Sequence, residues 1–202
     1  MHSLILLLIL FVFIGCSTTT STRTGFLGNY SNFYPSKAYE GMLIDHAANK
    51  DIAEYQYFII DPVLIYFTAS SESVGVDRET LNELTLYFEE KLEDKLSKNY
   101  TVVTTPGPGV LRVRIAITDI VPNKPYLNAH WATKVTKAGI GGASIEVEFL
   151  DSQTNERIAA VIDDRQGRSI RYHKGMTKWG YTKDALLKWA TMLANYLDEY
   201  NK

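Results

Sequence analysis

Residues 110–121 read VLRVRIAITDIV, and this stretch decides the fold. Apolar side chains occupy every second position, at Leu111, Val113, Ile115 and Ile117. The polar side chains of Arg112 and Arg114 fall between them. A period of two predicts a strand with one buried face and one polar face. The turn PGPG at 106–109 marks where this strand begins.

Further strands are predicted on both sides of this one. ASIEVEFLD (143–151) and ERIAAVIDD (156–164) are joined by a polar turn and should form a hairpin. QYFIIDPVLIYF (56–67) reads as a strand with a bulge or an edge at Pro62. A short strand is expected at 100–104.

Two helices are predicted from apolar residues spaced three or four apart. The first covers residues 77–98, with Asp77 as its N-cap. The second is C-terminal, and its apolar stripe, which we interpret as core, consists of Leu186, Trp189, Leu193, Leu197 and Tyr200.

The order of these elements defines the fold class. One helix lies between the first two strands and the other follows the last strand, which predicts an α/β (α+β) fold. We expect a single mixed sheet of about five strands with the helices covering one face. Residues 26–202 should form one globular domain, and no repeat or second domain is visible.

The amino-terminal region carries a targeting signal. Eleven apolar residues, Leu4 to Ile14, fit the core of a secretory signal and are too few to span a membrane. Gly15 and Cys16 follow, and this arrangement resembles the bacterial lipobox. The resemblance implies that residues 1–15 are a signal peptide, cleaved between Gly15 and Cys16, and that Cys16 is acylated. An ordinary signal with an incidental cysteine, or an uncleaved anchor, remains an alternative.

The chain after Cys16 begins with a polar stretch. STTTSTRTG (17–25) has no apolar side chains to bury and should be a flexible tether. Ser17 resembles the sorting pattern of outer-membrane lipoproteins in enteric-type bacteria. The aromatic segment that follows, GFLGNYSNFYP (25–35), should pack across the domain surface as extended chain. Cys16 is the chain's single cysteine, so the domain has no disulfide to stabilise it.

No motif for catalysis or cofactor binding stands out. The net charge of −2 does not suggest nucleic-acid binding. The glycines at 139–142 lead into a strand, whereas a phosphate loop leads into a helix. The four histidines have no ligand spacing, so neither a metal site nor a cofactor is expected. We expect a protein that is not an enzyme.

The acidic residues leave one alternative open. Glu146 and Glu148 share a strand face, and cross-strand ion pairs with Arg112 and Arg114 would account for all four. A periplasmic hydrolase acting on cell-wall or lipid substrates would instead need Glu146, Glu148 or Asp163 beside a cleft with a raised pKa.

Two segments, 122–142 and 165–183, are rich in basic and aromatic residues. This combination suits an anionic partner at a membrane or wall surface. Solvated loops with aromatic residues packed in the core are the alternative interpretation. The predicted site consists of Lys124, Trp131, Lys134, Lys137, Arg168, Arg171 and Lys174.

Several stretches together resemble a family of bacterial lipoproteins grouped as a domain of unknown function. They are GFLGNYS (25–31), PGPGVLRVRIAITD (106–119), GGASIE (141–146) and KWGYTKDALLKWA (178–190). The resemblance implies an envelope lipoprotein with an α/β domain and implies no activity. We therefore expect a lipid-anchored, periplasm-facing protein of the outer membrane with a non-catalytic binding or assembly role. Anionic lipid, lipopolysaccharide or an envelope protein are its expected partners.

Overall fold

The computed structural model describes residues 23–47, 51–69, 71, 73, 75–124, 141–166 and 177–200. In chain order the elements are β1 (Tyr34–Pro35), β2 (Leu43–His46), a 3-10 turn (Ile52–Glu54), β3 (Tyr57–Ile60), β4 (Leu64–Ile65), α1 (Arg78–Leu96), β5 (Thr101–Val102), β6 (Val110–Val121), β7 (Gly142–Asp151), β8 (Arg157–Gln166) and α2 (Gly180–Tyr200).

The strands of the described residues form one mixed sheet of eight strands. Their order is β1-β2-β8-β7-β6-β3-β5, and β4 pairs with β6 beside β3. The pairs that β3 makes with β5 and β6 are parallel, and β6, β7 and β8 are antiparallel neighbours. The predicted class is therefore confirmed, but the expected number of about five strands is wrong. Two of the strands that were not predicted, β1 and β2, have only two and four residues, which is too short for an alternation of apolar and polar side chains to be visible in the sequence.

The stretch predicted as one strand at residues 56–67 is two strands separated by Pro62. Proline has no N–H to donate to a ladder, so regular pairing stops there. Both pieces pair with β6 in parallel. Strand β3 pairs with the first residues of β6, and β4 pairs with Ala116 and Ile117 further along it. Between them the amide of Val63 donates to Oε1 of Glu89 on α1 at 2.7 Å. The proline thus brings the chain close to the first helix.

Both helices pack on the same face of the sheet. Leu84, Phe88 and Leu92 of α1 and Leu186 and Trp189 of α2 are fully buried against the apolar side chains of β6, β7 and β8. The alternation read from residues 110–121 places these apolar side chains on one face. Among the described residues, no helix has the length and apolar character needed to cross a membrane.

Helix α1 begins where the sequence predicts. The carboxylate of Asp77 accepts a hydrogen bond from the Thr80 amide at 2.8 Å, so Asp77 is the N-cap. This bond satisfies one of the amides that lack a partner within the helix. The helix ends at Leu96, two residues before the predicted end.

The other face of the sheet, which we call the open face, is covered only in part. The N-terminal segment (residues 24–33) lies across it, and Leu27 is 4% exposed against Ala160 and Ile162 of β8. This segment turns at Gly25 and Gly28, which both have positive φ, and does not run straight. The part of the open face beside β3 and β4 stays accessible.

Candidate functional site

Most residues of the predicted anionic-partner site lie outside the described residues. Lys124 is described: it is exposed and comes shortly after the end of β6. Outside the described residues are Gly15, Cys16, Trp131, Lys134, Lys137, Arg168, Arg171 and Lys174. The structure does describe the places where the two basic segments leave and rejoin the sheet.

The chain ends that border these two segments meet at one end of the sheet. Gly142 of β7 pairs with Gln166, the last residue of β8. Asn123, shortly after β6, connects to the chain before α2 and to the chain before β7. Its side-chain amide donates to the Thr177 carbonyl at 2.6 Å, and its Oδ1 accepts from the Gly141 amide at 3.0 Å. Both basic segments therefore start and finish within the same small region, which we call the loop end of the sheet.

The glycines at the loop end are explained by close packing. A Cβ on Gly142 would lie 2.4 Å from the carbonyl oxygen of Arg165 on the neighbouring strand. A Cβ on Gly141 would lie 2.2 Å from Oδ1 of Asn123. Side chains at these positions would push the strand ends apart. The Gly-Gly pair thus begins a strand, as the sequence argument against a phosphate loop requires.

A groove of about 660 Å³ lies on the accessible part of the open face, away from the loop end. Arg112 and Asp61 form one side of it: Nε of Arg112 is 2.9 and 3.0 Å from the two carboxylate oxygens of Asp61. No described residue accepts a hydrogen bond from Nη1 or Nη2 of Arg112. Arg112 lines the groove with its side chain 37% exposed, so these donors are accessible to a ligand or to solvent.

Arg114 and Glu148 form the floor of the groove. Nη1 of Arg114 donates to Oε1 of Glu148, directly opposite on β7. The guanidinium also lies 5.3 Å from the ring centre of Phe26, a cation–π contact with the N-terminal segment. Burial raises the pKa of Glu148, and the positive charges of Arg114 and Arg157 oppose that rise. This carboxylate is thus buried and paired.

Glu146 has a different role from the one predicted. It is fully buried and accepts hydrogen bonds from the Tyr30 hydroxyl at 2.7 Å and from the Thr24 amide at 2.9 Å. Arg157 donates to the Leu27 carbonyl at 3.2 Å. These bonds attach the N-terminal segment to the open face.

The expectation that cross-strand ion pairs join both arginines to both glutamates is therefore wrong in part. The register places Glu146 opposite Ala116 and places Arg112 opposite Leu150, so only Arg114 faces a glutamate. Sequence spacing gives the face of each residue but leaves the register of two strands undetermined.

Asp163 lies on the helix face of the sheet, and its side chain is 1% exposed. Its Oδ2 accepts hydrogen bonds from Nε1 of Trp189 at 2.7 Å and from Nε of Arg165 at 2.5 Å. Burial raises the pKa of Asp163, although both hydrogen bonds and the charge of Arg165 act in the opposite direction. This group links β8 to the centre of α2.

The raised pKa of Asp163 predicts how stability depends on pH. Because the folded state favours the neutral acid, this contribution is complete below about pH 4 and is lost as pH rises through the folded pKa. We expect Asp163→Asn to melt near the wild-type temperature at pH 3. At pH 7 its melting temperature should be higher than that of the wild type. Thermal melts from pH 3 to pH 7 measure the difference, with Asp94→Asn on the exposed side of α1 as the control. If Asp163→Asn instead becomes less stable than the wild type toward pH 7, the hydrogen bonds of Asp163 stabilise its charged form more than burial destabilises it.

The three acids considered for a hydrolase do not form one site. Glu148 lines the groove, whereas Glu146 is covered by the N-terminal segment and Asp163 lies on the opposite face of the sheet. Among the described residues, no group of three His, Cys, Asp or Glu side chains is arranged to hold a metal ion.

Two groove residues escaped the sequence reasoning. Asp61 follows β3 and Arg157 begins β8, and neither position belongs to a local pattern that suggests a site. Their partners lie far away in sequence. The parallel pairing of β3 with β6 brings Asp61 beside Arg112, and a parallel pairing of two separate segments has no local sequence signature.

Comparison with known proteins adds a family and relatives. The family model described as a protein of unknown function, DUF3313, matches residues 22–193. The uncharacterized lipoprotein YdcL of Escherichia coli K12 is 22% identical over 173 residues, covering 77% of this chain and 78% of the relative.

Solved structures with a similar arrangement include two from distant bacteria. A PelC dodecamer from Paraburkholderia phytofirmans has a TM-score of 0.43 at 10% identity, covering 76% of this chain and 97% of that one. A DUF4136 family protein from Bacteroides thetaiotaomicron has a TM-score of 0.40 at 12% identity, covering 86% and 100%. Similarity at this level supports no functional argument.

Proposed function

The chain belongs to the DUF3313 family of proteins of unknown function, and from this premise we propose that it is a lipid-anchored lipoprotein of the bacterial envelope with a non-catalytic binding or assembly role. Its relative in Escherichia coli is named a lipoprotein. The apolar run that ends at Gly15 and Cys16 supports the same class. Ser17 favours the periplasmic side of the outer membrane as the location.

The observation that supports the binding role is the convergence of chain ends at the loop end of the sheet. Asn123 lies between Thr177 and Gly141, so the two basic segments start from one place. Positive charge gathered on one end of a domain attracts anionic surfaces and partners. The partner class is an anionic membrane surface, of phospholipid or lipopolysaccharide, or an acidic envelope protein.

The attachment of the N-terminal segment restricts how far the domain can lie from its anchor. Thr24 is bound to Glu146 in the middle of the open face. Between Cys16 and Thr24 even a fully extended chain spans at most about 29 Å. Under this proposal the open face and the loop end stay within reach of the membrane surface.

Vesicle co-sedimentation tests the binding role. A chain that begins at residue 16 and carries Cys16→Ser should sediment with vesicles containing phosphatidylglycerol at low salt and dissociate at moderate salt. Binding should be lost after substitution by Gln of Lys124, Lys134, Lys137, Arg168, Arg171 and Lys174. The melting temperature should change little, because surface substitutions usually cost less than about 0.5 kcal/mol.

A charge-matched control separates a local site from overall charge. It replaces six other basic residues by Gln: Lys37, Arg78, Lys91, Lys95, Lys98 and Lys188. This variant should bind vesicles like the wild type. Failure of the wild type to bind at low salt, or equal loss in both variants, would remove the loop end as a binding site.

A further inference from the structure

The groove on the open face contains arginine N–H donors that its ion pairs do not use. Arg112, Arg114 and Arg157 line it together with only two acids, Asp61 and Glu148. Arg157 has a further partner beside the groove, because its Nη1 lies 3.9 Å from Oδ2 of Asp45, so the three arginines and the three nearby acids balance in charge.

The two central arginines both line the groove, and each has N–H groups that no described residue accepts. Arg112 uses Nε for Asp61, and Arg114 uses Nη1 for Glu148, while Nε of Arg114 lies 3.9 Å from Oδ2 of Asp61. The two residues are two apart on one strand, so their side chains leave the sheet on the same face about 7 Å from each other. Guanidinium groups bind phosphate with paired N–H donors, and a tetrahedral phosphate has enough oxygens for both of them.

The wall of the groove is apolar. Leu64 of β4, which is 45% exposed, and Leu150 of β7 line it beside the arginines. Tyr66, another exposed side chain, lies next to the same strand and contacts Phe26 of the N-terminal segment. A leucine wall beside a guanidinium pair suits a ligand that has an anionic group attached to a short apolar chain.

We propose that this groove binds the phosphate ester of an amphiphile, with Arg112 and Arg114 holding the phosphate and Leu64 and Leu150 contacting the first carbons of the alkyl chain. The groove is separate from the loop end, since Arg114 is seven residues from the end of β6, or about 23 Å along the strand. The proposal rests on the binding role proposed above and specifies a ligand class for a second surface.

Phosphate esters reach this groove from two sources. A membrane phospholipid is one, because the N-terminal segment that leads to the proposed anchor lies on the same face. A free, water-soluble phosphate ester is the other. Both present the same chemistry to Arg112 and Arg114.

Thermal melts and calorimetry on the full chain in a neutral detergent test the proposal. Monobutyl phosphate should raise the melting temperature and bind measurably, whereas inorganic phosphate should bind more weakly and butanol should not bind. Phosphatidylglycerol dispersed in the neutral detergent then distinguishes a membrane source from a free ester, because binding that Arg112→Gln removes and the six-residue loop-end variant keeps assigns the lipid to the groove. Equal binding of inorganic phosphate and monobutyl phosphate would overturn the role of the leucine wall.

Substitutions locate the site. Arg112→Gln should weaken monobutyl phosphate binding by about tenfold or more, since charge-assisted hydrogen bonds are lost. Arg112→Lys keeps a positive charge beside Asp61 but lacks the paired N–H donors, so a smaller loss is expected. The control Arg78→Gln changes an exposed arginine at the start of α1 and should bind like wild type.

The six-residue variant of the loop end distinguishes the two binding sites. It should keep monobutyl phosphate binding even though it loses vesicle binding. If it loses the ester as well while Arg112→Gln retains it, the phosphate lies at the loop end and the groove proposal is overturned. If the wild type binds the ester but does not bind vesicles, the loop-end proposal fails and the groove proposal stands.

Discussion

Cells producing Cys16→Ser are expected to accumulate a precursor that incorporates no labelled palmitate. Cys16 is the chain's single thiol, and in the proposed lipoprotein its sulfur carries the diacylglycerol that precedes cleavage. Since each buried methylene contributes about 0.8 kcal/mol, three acyl chains hold a protein on a membrane far more firmly than one. The effect of removing the thiol should be complete loss of label, measured by gel fluorography beside total protein.

A displaced thiol provides the matched control for this experiment. The double variant Cys16→Ser, Ser21→Cys keeps one cysteine in the same polar stretch but away from Gly15. It should also remain unlabelled and uncleaved. Label on either variant equal to that of the wild type would contradict both the lipid anchor and the location that depends on it.

Those parts of the fold that depend on local patterns could be predicted from the sequence. Residues 110–121 form β6 in full, and the hairpin of β7 and β8 follows from two apolar runs and a polar turn. Asp77 caps α1 as predicted because capping needs only a side chain and the amide three residues later. In each case the deciding interaction lies within a few residues.

The rest of the fold depends on partners that are distant in the chain. Strand β2 has four residues and exists because it pairs with β8, more than a hundred residues later. The groove likewise needs Asp61 beside Arg112, and the N-terminal segment is attached through Glu146. Residue patterns showed which side chains are polar and on which face of β6 and β7 they lie, and register decided which of them meet.

The role of the last helix could be predicted from its apolar spacing, but the buried hydrogen bond of Trp189 could not. Leu186, Trp189, Leu193 and Leu197 are all buried, as the stripe indicates. The bond from Trp189 to Asp163 depends on β8 lying beneath the centre of α2. A buried Trp needs a partner for its N–H, and a buried carboxylate needs a donor, so each residue accounts for the other.

Trp189→Ala should therefore cost about 3–5 kcal/mol of the free energy of unfolding. Trp189 is fully buried between the sheet and α1, with its ring centre 6.4 Å from that of Phe88. Domains are stable by about 5–15 kcal/mol in total, so this loss is a large share of it. Urea unfolding followed by circular dichroism measures the change, and Trp179→Ala, at a partly buried position beside Lys178, should cost clearly less.

Trp189→Phe separates the hydrogen bond from the packing and gives a folded protein if the alanine variant does not fold. Phenylalanine keeps an aromatic ring against Phe88 but has no N–H for Asp163. Since this bond lowers the pKa of Asp163 against the effect of burial, its removal should raise that pKa further. The variant should then lose more stability between pH 3 and pH 7 than the wild type does, because ionised Asp163 loses the donor that lies closest to the helix face. The same loss at pH 3 and pH 7 would mean that Trp189 acts through packing alone and that its bond to Asp163 adds no stability.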